Sequence, residues 1–416
     1  MTVLRSWVPG ADGSGFPAEH LPYGVVSTGD GRRRVGVRIG DSVVELDRLA
    51  AAGVGDLGHL LDGTAARPAL NDLMALGPER WDAVRHRLTD LLCDPAHRTA
   101  VEPTLVPLAA CTLHLPVEVA DYVDFYSSIE HATNLGRLFR PDAEPLLPNW
   151  RHLPVAYHGR AGTVVVSGTP VPRPAGQRRV GDGVAFGPSE RLDIELEVGT
   201  VIGVPSTPGR AVAADAAMDH VFGVVLVNDW SARDIQAWEY QPLGPFLGKS
   251  FATTMSAWVT PLAALRACRT AGPVQDPPPL PYLRLADDWA LDLRLSVDVR
   301  PAGAAAVETV SRMSFAGLYW QVPQQIAHLT VNGAHLRTGD LLASGTVSGA
   351  ERGTEGSLIE LTRGGAEPLT VAGATRTFLE DGDEVVLRAS ASVADGVTLT
   401  LGEAAGRIEP WPGAAS

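Results

Sequence analysis

The sequence predicts a mostly β, α+β fold in two parts: a small N-terminal domain over residues 1–116 and a larger strand-rich domain over 117–416. The first observation is a string of apolar or alternating runs in the second part: "TVVVSG", "RLDIELEV", "VFGVVLVND", "WALDLRLSVDVR", "DLLASG", "SLIELT", "EVVLRAS" and "GVTLTLG". Glycine and proline turns separate them and helical stretches are few, which suits a β-roll or sandwich better than alternating βαβ units. Second, the N-terminal part reads differently, with short glycine-turned strands in "VGVRIGDSVVEL" and then short amphipathic helices such as "ALNDLMAL" and "WDAVRHRLTDLL". Third, "VEPTLVPLAACTLHLP" lies between the two and is apolar but broken by prolines that resist regular structure, which marks a boundary.

A chain of 416 residues with 45% hydrophobic content can bury a large core. Its formal charge of -14 disfavours nucleic acid and anionic membrane as partners, so basic residues must be gathered locally if the substrate is an anion. No segment approaches the roughly 18 consecutive apolar residues of a membrane span, and "MTVLRSWVPGADG" carries no apolar stretch behind its arginine, so a cytoplasmic location is expected. Cys93, Cys111 and Cys268 are far apart and in no metal-ligand spacing, so they are expected to pack rather than bridge or ligate. Neither a dinucleotide fingerprint nor a P-loop occurs, which leaves nucleotide cofactors without support.

The basic residues carry a sharper signal. Of 34 Lys plus Arg, only Lys249 is lysine. In a chain that uses arginine everywhere else, a retained ammonium points to a place where a planar guanidinium will not serve, such as contact with a metal-bound oxygen or a developing oxyanion. Asparagine is scarce too, and Asn134, Asn149, Asn228 and Asn332 fall in or near the segments that hold the chemistry.

In "LDIELEV" strict alternation puts Asp193, Glu195 and Glu197 on one strand face. That face is either a solvated exterior or an acidic site. Asp229 closes the apolar run "VFGVVLVN", where a buried carboxylate needs a partner. If these converge with Asp124 of "DYVDFYSSIEHATN", the donor set is all hard oxygen, which suits Mg²⁺ or Ca²⁺ rather than zinc. After Asp229, Ser231 and Asp234 read as a capping box that starts a helix. On it Arg233, Gln236 and Tyr240 form one polar stripe, which an exposed amphipathic helix would also give. A proline and glycine turn can return Lys249 to the same place. Ser127 and Glu130 read as a capping pair for the helix that carries His131, with Tyr126 and Arg140 on either side. Glu360 sits among Leu358, Ile359 and Leu361, where a carboxylate must accept a hydrogen bond. A histidine oriented by a glutamate is a standard base for activating water, although spacing alone does not pair these two. Gly345 and Thr346 end "LLASG" and offer backbone and hydroxyl to a ligand, or simply a tight turn.

Several long segments resemble the fumarylacetoacetate hydrolase family: "DYVDFYSSIEHATNLGRLFRPD", "PNWRHLPVAYHGRAGTVVVSGTPV", "LDIELE", "VNDWSARDIQAWEYQPLGPFLGKSF", "LLASGTVSG" and, near the start, "FPAEHLPYGVV". The resemblance implies a small SH3-like N-terminal barrel, a larger C-terminal β-roll of the family type and a homodimer. It implies that Asp124, Glu195, Glu197 and Asp229 bind Mg²⁺ or Ca²⁺, with Lys249 and Thr253 at a metal site. It further implies that His131 activates water with Glu360 orienting it, and that Arg233, Gln236 and Lys249 form the oxyanion site. Tyr126, Arg140, Tyr157, Gln236, Tyr240 and Thr346 would hold a small β-diketo acid. The implied reaction is metal-dependent hydrolysis of a carbon-carbon bond, the last step of tyrosine and phenylalanine breakdown. The alternative is hydrolase or lyase chemistry on another β-keto or acylpyruvate-like acid. Ala156, Ala252 and Arg363 depart from the family's usual wording, and none is a charged catalytic group.

Overall fold

The structure, a computed structural model, describes residues 3–54 and 56–413; the outermost residues of the two expected domains, 1–2 and 414–416, lie outside them. The fold is mixed α/β and is organised by one large sheet. Its central strand, Val221–Asp229, is buried at every position, as its apolar run requires. On one edge this strand pairs antiparallel with Leu196–Ile202, and on the other with Thr253–Met255 and Trp258–Pro261. Side chains alternate across it. Val224 and Leu226 join the core shared with the second, five-stranded sheet, whereas Val225 and Val227 face the core that includes Val84 and Leu88 of the N-terminal helix Pro78–Cys93.

Beyond Leu196–Ile202 the sheet continues through Leu341–Ala343 to Tyr122–Phe125, a parallel pairing, and then to Ala156–His158. The second sheet is built on the long antiparallel strands Leu293–Arg300, Glu384–Ala394 and Val397–Glu409. Among the described residues no helix is long and apolar enough to cross a membrane.

The N-terminal strands do not close into the small barrel that was expected. Tyr23–Ser27 pairs with Arg34–Ile39 and with Thr112–His114, and it also pairs with Trp258–Pro261, so the N-terminal strands run on into the large sheet. Gly24 makes this junction possible. It lies opposite Trp258, and a Cβ at position 24 would come within 2.6 Å of the indole. With that edge used, no closed barrel forms among the described residues.

Four local expectations are corrected. "SLIELT" is not a strand: Leu358–Leu361 is a single helical turn whose first N–H groups, on Leu358 and Ile359, donate to the Asp193 carboxylate at 2.7 and 3.0 Å. A buried anion at a helix N-terminus overrides the β propensity of Leu-Ile. "LDIELEV" is broken between Leu192–Asp193 and Leu196–Ile202, because Asp193 is pulled toward that turn and toward Arg233. The helix Arg233–Glu239 lacks the Ser231 cap, since the Ser231 hydroxyl donates to Asp229 O and Asp234 accepts from Ser189 and Glu190 instead. The helix Ile129–Phe139 is capped one residue later than expected, by Ser128, whose Oγ accepts from His131 N, whereas Ser127 Oγ accepts from Gln325.

His20 lies where the N-terminal segment meets the large sheet. It is fully buried, with Nε2 2.9 Å from Thr260 Oγ1, and burial holds its imidazole neutral, down at about 3. In the unfolded chain it takes up a proton near 6.5. This contribution to stability is therefore complete above about pH 6.5 and is lost as the pH falls toward about 3. His20→Gln stays neutral throughout. The unfolding free energy measured across that window is expected to fall more steeply for the wild type, by up to about 1.4 kcal/mol per pH unit; parallel profiles would remove His20 from the acid response.

Candidate active site

The ends of the central strands bring the carboxylates together. Asp124 lies on Tyr122–Phe125 opposite Tyr157, Glu197 faces Val227, and Asp229 ends its strand opposite Thr253. Asp124, Glu197 and Asp229 are all buried, and each offers an oxygen within 4.8 Å of the others. Asp193 and Glu195 are buried as well as Glu197, so the open-face alternative for that row does not hold.

Such crowding has electrostatic consequences. Burial pushes Asp124 up to about 6, although Arg160 opposes it, and burial with three neighbouring carboxylates drives Glu197 well above the usual range. Glu195 behaves in the opposite way. Burial works against its ionisation, yet Lys249 and Arg233 hold it below the ordinary carboxylate range. The Lys249 ammonium contacts Glu195 Oε2 and lies 2.8 Å from Asp229 Oδ2, while Arg233 Nη1 lies 2.7 Å from Glu195 Oε1. Glu195 thus stands beside the triad with its oxygens taken by cations. Thr253 Oγ1 is 3.5 Å from Asp229 Oδ1.

His131 Nδ1 lies 2.7 Å from Glu360 Oε2. Glu360 also accepts from Asn134 at 3.0 Å, Ser348 at 3.0 Å and Ser357 at 2.6 Å. Burial alone would raise the Glu360 pKa, but His131, Ser357 and Asn134 together lower it. An ionised Glu360 fixes the Nδ1–H tautomer and leaves Nε2 as the basic nitrogen, 4.0 Å from Glu195 Oε1. Tyr126 meets the imidazole edge-on, with ring centroids 5.3 Å apart.

A cavity of about 400 Å³ opens on this group. Tyr126, His131, Arg140, Tyr157, Gln236, Tyr240, Lys249 and Thr346 line it, together with Asp124 and Glu195. Arg233, Glu197, Asp229, Thr253 and Glu360 are not among its lining residues, and Arg233 is held by Asp193 at 2.8 Å and by Gln236 at 3.2 Å. Tyr157 OH, Arg140 Nε, Thr346 Oγ1, Arg233 Nη2 and Glu197 Oε1 are buried without hydrogen-bond partners. Three of these, on Tyr157, Arg140 and Thr346, belong to residues that line the cavity, and such a set of unpartnered polar atoms is the imprint of a polar ligand. Gly345 puts Thr346 there: its φ is +75°, and a Cβ would stand 2.2 Å from Phe125 O.

Sequence reasoning singled out Asn134 without giving it a role, and it missed Ser348 and Ser357 around Glu360, the apolar wall of Leu135, Phe139 and Leu147, and above all Arg160. Arg160 Nη2 lies 2.6 Å from both Asp124 Oδ2 and Asp229 Oδ2. The signal that could have found it is charge: so many converging carboxylates need more cations than Lys249 and Arg233 supply.

A family model described as "Fumarylacetoacetate (FAA) hydrolase C-terminal" matches residues 122–408, and one described as "Fumarylacetoacetase N-terminal" matches 19–116. The chain is 46% identical to a fumarylacetoacetase of Caenorhabditis elegans, over 98% of this chain and 99% of that protein. It is 44% identical to the fumarylacetoacetase of Homo sapiens, over 97% and 99%. A solved fumarylacetoacetate hydrolase from Exiguobacterium antarcticum, 16% identical, shares the fold with a TM-score of 0.55 over 94% of this chain and 99% of that one.

Lys249→Met leaves Glu195 and Asp229 buried with one cation fewer. In the presence of a chelator it is expected to lose about 3–5 kcal/mol of stability, read as a lower denaturation midpoint. A midpoint equal to that of the wild type would mean that water already reaches both carboxylates.

Proposed function

Because the chain belongs to the fumarylacetoacetase family, we propose that it hydrolyses the carbon-carbon bond of 4-fumarylacetoacetate to fumarate and acetoacetate, in tyrosine and phenylalanine breakdown. The observation that carries this reading is the buried His131–Glu360 pair, with its basic nitrogen beside a cavity lined by Lys249, Gln236 and Arg140. His131 Nε2 takes a proton from water, and the hydroxide adds to the carbonyl next to the fumaryl double bond. Lys249 and Gln236 donate to the tetrahedral oxyanion, with Arg233 behind them. Its collapse breaks the bond to the methylene carbon, which leaves as the enolate of acetoacetate and regains a proton from the imidazolium. Arg140, Tyr126, Tyr157, Tyr240 and Thr346 bind the diacid, and the unpartnered buried atoms of Arg140, Tyr157 and Thr346 support that role.

The buried oxygen triad suits a hard divalent ion, since Glu197 Oε1 has no partner among the side chains around it. Asp124, Glu197 and Asp229 would hold the ion, with Glu195 turning from its cations to join them and Lys249 and Thr253 alongside. A bound Mg²⁺ or Ca²⁺ supplies a Lewis acid that stabilises negative charge on the diketone oxygens. On the same reading, residues 1–116 form an N-terminal domain and 117–416 a catalytic β-roll, and the protein works as a cytoplasmic homodimer.

The test is to mix purified protein, Ca²⁺ or Mg²⁺ and fumarylacetoacetate, and to follow loss of the diketone's ultraviolet absorbance. The wild type should turn over rapidly, His131→Ala should lose on the order of 10²–10⁴ in kcat, and Lys249→Ala should lose roughly 10²–10³. No turnover by a folded, metal-loaded wild type would move the reaction to another β-keto acid. Turnover unchanged in His131→Ala would remove the proposed base.

A further inference from the structure

The structure assigns Arg160 as the resident counter-cation of the Asp124–Asp229 pair, which a divalent ion must displace, so that this arginine sets how tightly metal binds. The inference rests on the metal reading of the carboxylate triad. One nitrogen, Nη2, is shared between Asp124 Oδ2 and Asp229 Oδ2 at 2.6 Å each, which is where a bridging cation belongs. Those two residues belong to the triad whose oxygens lie within 4.8 Å of one another. Nη2 occupies the position between Asp124 Oδ2 and Asp229 Oδ2, so a divalent ion that bridges the two residues through these oxygens must take its place.

Arg160 is also incompletely satisfied. Its side chain is 4% exposed and its Nε is buried without a partner, although a guanidinium offers five donors. Its other contacts are the faces of Tyr122 and Tyr157, with ring centroids 4.6 and 4.9 Å away. These faces favour a cation without fixing its direction. The backbone is set for movement as well. Arg160 has φ +62°, a left-handed conformation that costs a non-glycine residue energy, and it follows Gly159 at φ +132°. A Cβ at Gly159 or at Gly162 would meet nothing within 4 Å, so this turn has open space around it. Nothing in a structural ion pair calls for strained backbone and an unmet donor; a cation that must leave on loading accounts for both.

The experiment uses the full chain stripped of metal and titrated calorimetrically with Ca²⁺ and Mg²⁺. Arg160→Gln should bind at least tenfold more tightly than the wild type, and its metal-free form should melt lower, with the gap closing at saturating Ca²⁺. Equal or weaker binding by Arg160→Gln overturns the inference and makes Arg160 a support of the site. Should that variant not fold without metal, the wild type answers alone. An arginine-specific dicarbonyl reagent, read by mass spectrometry at Arg160, should react faster with Ca²⁺ bound, and unchanged or slower modification counts against displacement. If the wild type binds neither ion at millimolar concentration, the metal reading itself fails and this inference falls with it.

Discussion

The constraint on which the rest of this structure depends is the burial of several carboxylates at one end of a sheet. Asp124, Glu195, Glu197 and Asp229 are each at most 5% exposed, and anions so placed are tolerable only beside cations or with a proton. The protein uses both solutions. Lys249, Arg233 and Arg160 each bridge two acids, and Glu197 is driven toward its protonated form. Much local structure follows from this arrangement. The break after Asp193, the helical turn at Leu358–Leu361 and the position of Arg233 are all consequences of Asp193 serving two partners at once.

That same helical turn carries Glu360, so the acidic end of the sheet and the histidine base are mechanically linked. Asp193 anchors the turn, the turn presents Glu360, and Glu360 orients His131 on a helix from a distant part of the chain. Rigid secondary elements fix each member, and the hydroxyls of Ser348 and Ser357 leave the carboxylate little freedom to rotate. Precision here comes from packed, hydrogen-bonded supports rather than from the reacting groups themselves.

Much of the architecture was legible because hydrophobic period is a local property. Val221–Asp229, Leu196–Ile202 and the hairpin of Glu384–Ala394 with Val397–Glu409 announced themselves through apolar runs and alternation. What could not be read was set by contacts between distant segments. Leu358–Leu361 has a strand-like composition and is helical because of an anion 165 residues earlier. The expected N-terminal barrel failed because one strand found a partner far along the chain, which no local pattern records. Within the site, the acids and Lys249 stood out by type and setting, while the pairing of His131 with Glu360 rested on family resemblance. Arg160 hid among many arginines in a chain with a single lysine.

The join between Tyr23–Ser27 and Trp258–Pro261 also bears on how the chain reaches this state. Synthesis delivers the early strands and helices first, and domains generally begin to fold as they emerge. Here Val25–Ser27 can pair with Thr112–His114 early, but Tyr23 and Gly24 find their neighbours only when residues 258 and 259 have left the ribosome, so through that interval this short stretch of edge is unpaired and open to a strand from another molecule. The Tyr23–Gly24 end of the first strand is therefore the last part of this edge to be covered, and the arrival of Trp258 over Gly24 ends its exposure.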